Sequence, residues 1–164
     1  MTTTAIVCVA ATLLTGLVAG LFYGYDCSVI QGLGKLPDRE YIATFQSINR
    51  EILNPYFFLS FMGSAIVLPI ACWLTYRAGG GVGFYFMLTA TLLYYVGVIG
   101  ITGGGNIPLN DAIDRFDLAQ ASEDAIGSMR RKFEAEWNLF HHLRTWASIA
   151  CFLCAILALI KKSW

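Results

Sequence analysis

The chain has 164 residues, of which 57% are hydrophobic and 13% are charged, and its formal net charge at pH 7 is zero. Soluble globular domains carry about 25% charged residues, so this composition excludes an ordinary soluble domain and indicates a membrane protein. The chain also lacks the positive charge that binding to nucleic acid requires, so no nucleic-acid partner is expected.

Four apolar runs divide the chain, over residues 5–25, 56–76, 82–102 and about 139–160. Each run is close to the ~20 residues that a helix needs to cross a bilayer. The first run follows four residues without a basic side chain, unlike a signal peptide, so we expect it to remain as a membrane helix. These runs predict an all-α, integral, multi-pass membrane protein in which residues 1–164 form a single transmembrane four-helix bundle.

All eleven acidic residues lie between these runs, in segments 26–54 and 103–138, and eight of the eleven Lys and Arg residues lie in or beside the same segments. The polar chemistry is therefore predicted on one side of the membrane. The positive-inside rule favours a cytoplasmic location for that side. The Lys-Lys-Ser-Trp tail, in contrast, resembles a retrieval signal that would place the opposite side in the cytosol, so both orientations stay open.

The first helix carries a stripe of small residues at intervals of four. The stripe consists of Cys8, Thr12, Gly16, Gly20 and Gly24. Small residues at this spacing let membrane helices approach closely. We predict that the stripe packs inside the bundle, and a homodimer interface on the outside is the alternative.

A short amphipathic helix is predicted between the first two runs. Its apolar positions recur at helical spacing and are Tyr41, Phe45, Ile48 and Ile52. Asp38 is predicted to cap this helix, which we expect to lie across the mouth of the bundle. Gln46 and Asn49 flank the apolar stripe, so we expect them to face the mouth or its margin.

Proline and glycine mark the next two helices. Asn54 is predicted to cap the second membrane helix ahead of Pro55, and Pro69 to kink this helix and free a backbone carbonyl. The three glycines at 103–105 are predicted to stop the third helix and to begin an ordered loop over the bundle mouth.

The fourth helix is predicted to begin outside the membrane, at about Ser122. One face stays apolar from that point into the last run, through Ile126, Met129, Phe133 and Trp137. Only residues 145–160 are cleanly apolar, which is short of the ~20 residues that a crossing needs. Residues 137–144 are therefore drawn towards the hydrocarbon boundary.

Asn138, His141, His142 and Arg144 lie close together on that part of the helix. Ionisable side chains at membrane depth are costly and indicate function by default. Alternatively, Arg144 snorkels to the headgroups and the histidines only decorate the interface. Adjacent histidines point about 100° apart and cannot easily hold one metal ion together, so no metal site is predicted.

Four motifs, in this order and spacing, resemble a known family over nearly the whole chain. They are Thr15-Gly-Leu-Val-Ala-Gly-Leu-Phe, Phe45-Gln-Ser-Ile-Asn-Arg-Glu-Ile-Leu-Asn-Pro-Tyr-Phe, Thr102-Gly-Gly-Gly-Asn-Ile-Pro-Leu-Asn, and Trp137-Asn with His142-Leu-Arg-Thr. The chain resembles the DUF1772 family, the anthrone oxygenase-like four-helix membrane proteins.

The resemblance implies a monooxygenase that oxidises an apolar polyphenolic anthrone to an anthraquinone with O2 and needs no metal or other cofactor. Such a reaction removes a proton from an activated carbon and stabilises the enolate. His142 is the first candidate for the base and His141 the second. Arg144, with Asn106 or Asn110, is the candidate for binding the enolate oxygen. Further candidates for contact with the substrate are Gln46, Asn49 and Asn138.

Two other functions stay open from the sequence. The Asn-rich segments are also consistent with a rigid cap on a non-catalytic accessory or scaffold subunit, either as a homo-oligomer or within a larger membrane complex. The chain is also consistent with a membrane protein that binds or transports a small molecule or lipid, although it shows no inverted repeat.

Overall fold

The computed structural model describes residues 2–161 and contains five helices, with no strand among those residues. We number the helices α1 (Thr3–Leu33), α2 (Asp38–Glu51), α3 (Pro55–Arg77), α4 (Gly81–Asp114) and α5 (Glu123–Ile160). All except α2 are long and apolar enough to cross a membrane. The predicted all-α four-helix bundle with a short additional helix is confirmed. Lys162, Ser163 and Trp164 of the lysine-containing tail lie outside the described residues.

The four long helices form a ring in the order α1, α3, α4, α5. Helix α1 packs against α3 and α5, and α4 packs against the same two helices, so α1 and α4 lie on a diagonal. The turn between α3 and α4 is tight because Gly79 and Gly80 adopt positive φ angles, which side chains disfavour. Helix α2 packs against α5 and the C-terminal end of α4, and so covers one end of the ring.

The molecule has two apolar cores. The bundle core lies between the four long helices, and Leu68, Met87, Tyr94 and Cys151 are fully buried in it. The second core lies in the headpiece, which we define as residues 25–54 and 107–137. Its side chains come from α2 and from the adjoining ends of α1, α4 and α5.

Hydrogen bonds of polar side chains define where α3 and α5 begin. The Asn54 side chain accepts from the Phe57 N–H at 3.0 Å, and the Ser122 hydroxyl accepts from the Ala125 N–H at 3.3 Å, so both predicted starts are confirmed. The predicted cap by Asp38 is wrong, because Pro37 occupies the N-cap position. The Asp38 carboxylate lies in the first turn and accepts from Arg130 at 2.9 Å.

Helix α3 continues through Pro69, which has no N–H to donate to the carbonyl of Ala65 four residues earlier. The Tyr95 hydroxyl of α4 donates to that carbonyl at 2.7 Å. The carbonyl that the sequence predicts to be free is therefore satisfied by the neighbouring helix.

The predicted loop after residue 102 is wrong, because α4 continues to Asp114 through two π-helical stretches, Leu93–Gly100 and Thr102–Asn106. The glycines do not end the helix, and two glycines of α4, Gly97 and Gly105, allow α5 to approach closely. A Cβ on Gly97 would lie 2.5 Å from that of Ala147, and one on Gly105 would lie 2.6 Å from the Phe140 ring. Helix α5 therefore packs directly on the backbone of α4.

The small-residue stripe of α1 packs inward only in part. Cys8 is buried and Gly16 lies against Phe152, but a Cβ on Gly20 or Gly24 would meet open space. The prediction of internal packing is wrong for these two glycines. Four residues advance about 40° beyond one helical turn, so a stripe of period four drifts off the buried face after two or three steps.

Candidate functional site

A cavity of about 260 Å³ lies where the bundle core meets the headpiece. Phe22 and Phe61 of the bundle core and Phe45 and Trp137 of the headpiece core all line it. Every helix contributes to its wall, and most of the lining side chains are apolar. Its polar lining consists of Tyr25, Asn49, Thr102, Asn110, His141 and Arg144. Small-molecule sites are mostly apolar clefts of about 300–1,000 Å³, so this cavity suits a compact ligand.

His141 is held in the wall of this cavity by aromatic rings on three sides. Its ring stacks on Trp137 at 4.9 Å between centroids and 9° between planes. It meets Phe22 edge-on at 5.6 Å and Tyr25 in a tilted arrangement at 5.3 Å. The side chain is 1% exposed. Packing on this scale fixes the orientation of the imidazole.

The hydrogen bonds of His141 fix which ring nitrogen carries the proton. Arg144 donates to Nδ1 from Nε at 3.1 Å and from Nη2 at 2.9 Å. A guanidinium has only donors, so Nδ1 must be the unprotonated nitrogen. Nε2 therefore carries the hydrogen and donates to the Phe22 carbonyl at 3.2 Å. His141 is thus a neutral imidazole whose only lone pair faces Arg144.

Arg144 is a buried cation without an acidic partner among residues 2–161. Its guanidinium lies 4.4 Å from the centroid of the Phe22 ring and 5.3 Å from that of Trp137. It also donates to the Thr102 hydroxyl at 3.4 Å. Buried charges are normally paired, so an unpaired guanidinium in a cavity wall is suited to bind an anionic oxygen.

Asn49 and Asn110 of the headpiece also line the cavity. The Asn110 Oδ1 accepts from the indole N–H of Trp137 at 2.7 Å, and the Asn49 amide donates to the Asn110 carbonyl at 3.4 Å. Within residues 2–161, the amide hydrogens of Asn110 donate no hydrogen bond. These hydrogens are free to donate to a ligand oxygen.

Three other candidates from the sequence lie outside the cavity lining. Gln46 donates to the carbonyls of Ile113 and Phe116 at 2.7 and 2.9 Å and so fastens α2 to the end of α4. Asn106 is fully buried and donates to the Trp137 carbonyl at 3.3 Å, while its Oδ1 has no partner within residues 2–161. Asn138 is half-buried on α5.

His142, the first candidate for the base, also lies outside the lining. Its side chain is 48% exposed, and its Nδ1 lies 2.5 Å from an oxygen of Asp26 on α1. The structure therefore places the second candidate, His141, beside Arg144 at the cavity, and the first on the neighbouring face of α5.

Thr102, Trp137 and Tyr25 line the cavity although none of them was a site candidate from the sequence. Trp137 and Thr102 each begin one of the motifs described above, and their place in these motifs could have marked them as candidates for the site. Tyr25 begins a π-helical turn, Tyr25–Val29, which gave no recognisable pattern. π-helical turns within α-helices are frequent at functional sites, and this one carries both Tyr25 and Asp26.

Comparison with known proteins agrees with the resemblance of the motifs. The sequence model of the family described as anthrone oxygenase matches residues 57–154, which include Thr102, Trp137, His141 and Arg144. No curated protein and no solved structure gives a match. The matched stretch covers more than half of the chain, and the chain therefore belongs to the anthrone oxygenase family.

Proposed function

We propose that the protein is a membrane-embedded oxygenase that converts an anthrone-like polyphenol to the corresponding quinone at the cavity beside His141 and Arg144. The observation that carries the proposal is Arg144: a buried guanidinium without an acidic partner among the described residues, in the wall of an aromatic cavity. An anthrone enolate is a flat aromatic anion. Its negative charge would pair with Arg144, and its rings would stack on the aromatic side chains of the wall.

The geometry supports a sequence of proton movements in which Arg144 controls whether Nδ1 of His141 can accept a proton. The guanidinium occupies the Nδ1 lone pair of His141. A substrate oxygen that binds Arg144 competes for the same N–H groups and releases Nδ1. Nδ1 can then accept a proton from the methylene carbon of the anthrone, while Arg144 and the Asn110 amide stabilise the enolate oxygen.

The reaction balances with O2 as the only oxidant. The enolate transfers electrons to O2, and a bond forms between the former methylene carbon and oxygen. The resulting peroxide takes up the proton from His141. Loss of the second proton from that carbon, with cleavage of the O–O bond, then yields the quinone carbonyl and water. We propose that this sequence uses no metal or other cofactor.

We propose further that the four long helices cross the bilayer and that the headpiece stands on one side of it. Helix α3 has 23 residues and so spans about 34 Å at 1.5 Å per residue, which matches the hydrocarbon thickness. The cavity then lies just inside the membrane boundary, with membrane lipid and dissolved O2 as immediate neighbours.

A binding protein for the same aromatic anions is the second candidate. The occupied lone pair of His141 favours it, because a base that stays bonded to Arg144 takes no proton. A scaffold without ligand needs no cavity, although Gln46 and Asn106 do act as structural clasps of the kind that the scaffold hypothesis expects.

The experiment that tests the proposal is O2 consumption by purified, metal-stripped protein in detergent with emodin anthrone. Arg144→Gln is expected to lower turnover about 10²- to 10³-fold, as loss of an oxyanion donor does in other enzymes. Arg115→Gln is the matched control, because Arg115 is exposed and lies outside the cavity. Uptake by the wild type at the spontaneous rate would contradict the oxygenase and leave the binding function.

The adjacent histidines provide a second comparison. His141→Gln is expected to reduce turnover about 10²-fold or more, because a general base contributes about 10²- to 10⁴-fold. His142→Gln is expected to have a small effect, since its side chain faces Asp26 rather than the cavity. The opposite result would restore His142 as the base.

A further inference from the structure

The lining of the cavity is polarised from its inner end to its rim. The buried lining side chains are Phe22, Phe45, Phe61, Trp137, His141 and Arg144, so this end holds the imidazole and the guanidinium of the lining. The exposed lining side chains are Leu21, Leu53, Phe58, Met62 and Ile107. We call these five residues the mouth. A cavity that opens to water normally has some polar rim, but every residue of the mouth is apolar.

The mouth lies beside the N-terminal end of α3, where this helix enters the bilayer in the placement proposed above. Phe58 and Met62 fall within its first two turns after Pro55, and they are 44% and 46% exposed. Tyr56, in the first turn, is 86% exposed, as is typical of an aromatic residue at the headgroup level. One to two turns further along the helix, the surroundings are already hydrocarbon.

From this polarity we infer that the site takes its ligand sideways from the hydrocarbon layer, through the mouth, and that the ligand is a phenolic or enolic aromatic with an apolar substituent. The oxygen-bearing end reaches Arg144, and the substituent stays between Met62 and Ile107. The inference rests on the proposed function for the identity of the inner end. It adds the route of entry, the orientation and a tail that the family assignment does not specify.

The physical reason for this orientation is the distribution of donors. Arg144 and the Asn110 amide are the groups that can donate to an anionic oxygen, and no charged side chain lines the rim. A ligand turned the other way would leave Arg144 unpaired and place its oxygen in hydrocarbon, and each of these is costly. A tail at the mouth, in contrast, exchanges lipid contacts for contacts with Phe58, Met62 and Ile107.

The test measures equilibrium binding in lipid nanodiscs, so that it does not depend on turnover. The probes are two products that cannot react further, 1,8-dihydroxyanthraquinones with a methyl or an octyl group at position 3. Kd is expressed as a mole fraction in the lipid, and each variant is compared with the wild type for the same compound, which cancels partitioning into the bilayer.

Met62→Trp is expected to raise Kd of the octyl compound about tenfold, comparable to losing the burial of about two methylene groups. The methyl compound should change by less than about twofold, because it does not reach the mouth. Ile66→Trp is the matched control, since Ile66 is 60% exposed one turn further along α3 and does not line the cavity. Ile107→Trp obstructs the mouth from α4 and should repeat the effect if Met62→Trp folds poorly.

Equal effects on the two compounds, no effect of either mouth variant, or an equal effect of Ile66→Trp would overturn the inference. Absence of saturable binding by both compounds would overturn it as well. Normal binding with the predicted selectivity but without O2 uptake would support the mouth and reject the oxygenase, so the two failures are distinguishable.

Discussion

Two adjacent histidines of the same helix have different surroundings, and these surroundings set what each can do. His141 is buried against Trp137 and bonded to Arg144, whereas His142 is half-exposed and pairs with Asp26. The sequence identified the cluster because ionisable residues at membrane depth are rare. From the sequence, His142 ranked ahead of His141, whereas only His141 lines the cavity, because local patterns do not show which face of α5 meets Phe22 of α1.

Tyr95 offers a test of how a membrane helix tolerates an internal proline. Its hydroxyl donates to the Ala65 carbonyl, which Pro69 leaves without a helical donor. Tyr95→Phe is expected to lower the free energy of unfolding by about 1–2 kcal/mol, because the carbonyl then lacks a partner in an apolar environment. Titration with a denaturing detergent in mixed micelles measures this change.

Pro69→Ala provides the control for that prediction. Alanine restores an N–H that can donate to the Ala65 carbonyl, so Tyr95→Phe should cost about half as much or less in this background. An equal cost in both backgrounds would show that Tyr95 stabilises the protein through its packing rather than through this hydrogen bond.

Helix α4 shows why glycine is ambiguous in a membrane sequence. Three successive glycines predict a break in water, yet here the chain passes through them as a π-helical turn and continues as α-helix to Asp114. A backbone at the membrane boundary needs its hydrogen bonds satisfied, and continuing the helix does this without water. The start of helix α5 after Ser122 was predictable, because its cap and its apolar face are local features of the sequence.

Two glycines of α4 should respond oppositely to alanine. Gly97→Ala places a Cβ 2.5 Å from that of Ala147, whose Cβ is fixed to its own backbone, and is expected to destabilise the fold by about 1–3 kcal/mol. Gly104→Ala meets nothing within 4 Å and should be neutral or stabilise by up to about 1 kcal/mol through helix propensity.

Thermal unfolding of the two variants in the same detergent compares them directly. Similar melting temperatures for Gly97→Ala and Gly104→Ala would contradict the close packing of α5 on α4. A lower melting temperature for Gly104→Ala alone would mean that its π-helical turn requires glycine for a reason other than space.

The cavity is a property of the whole molecule, and for that reason the sequence predicted its residues only in part. Asn49, Asn110, His141 and Arg144 were among the expected residues and line it, while Gln46, Asn106, Asn138 and His142 do not. The lining comes from all five helices, and local patterns carry no information on how the headpiece sits on the bundle. The number and approximate extent of the membrane helices, in contrast, follow from hydropathy alone.

Arg130 ties the linker between α1 and α2 to α5 and so holds the headpiece in place. It donates to the carbonyls of Gly34 and Leu36 and to the carboxylates of Asp38 and Glu134, at 2.6–3.0 Å. Its guanidinium also covers the Tyr41 ring at 4.4 Å. Burial raises the pKa of the Tyr41 phenol, so the ring stays neutral beneath the cation.

Arg130→Ala is expected to loosen the headpiece while the four long helices stay folded. Loss of its bonds leaves the Gly34 and Leu36 carbonyls without this donor, and α2 carries Phe45 and Asn49 of the cavity wall. Hydrogen exchange of residues 38–51 should therefore accelerate at least about tenfold, which corresponds to about 1.4 kcal/mol of local stability. Binding of 1,8-dihydroxyanthraquinone should weaken in parallel, because the wall that receives the ligand is no longer fixed.

Arg131→Ala is the matched control, since the neighbouring Arg131 is exposed and makes none of these bonds. Faster exchange of residues 38–51 with unchanged binding would show that the bundle core forms the site without the headpiece, and the division of the cavity between two cores would then be incidental to function.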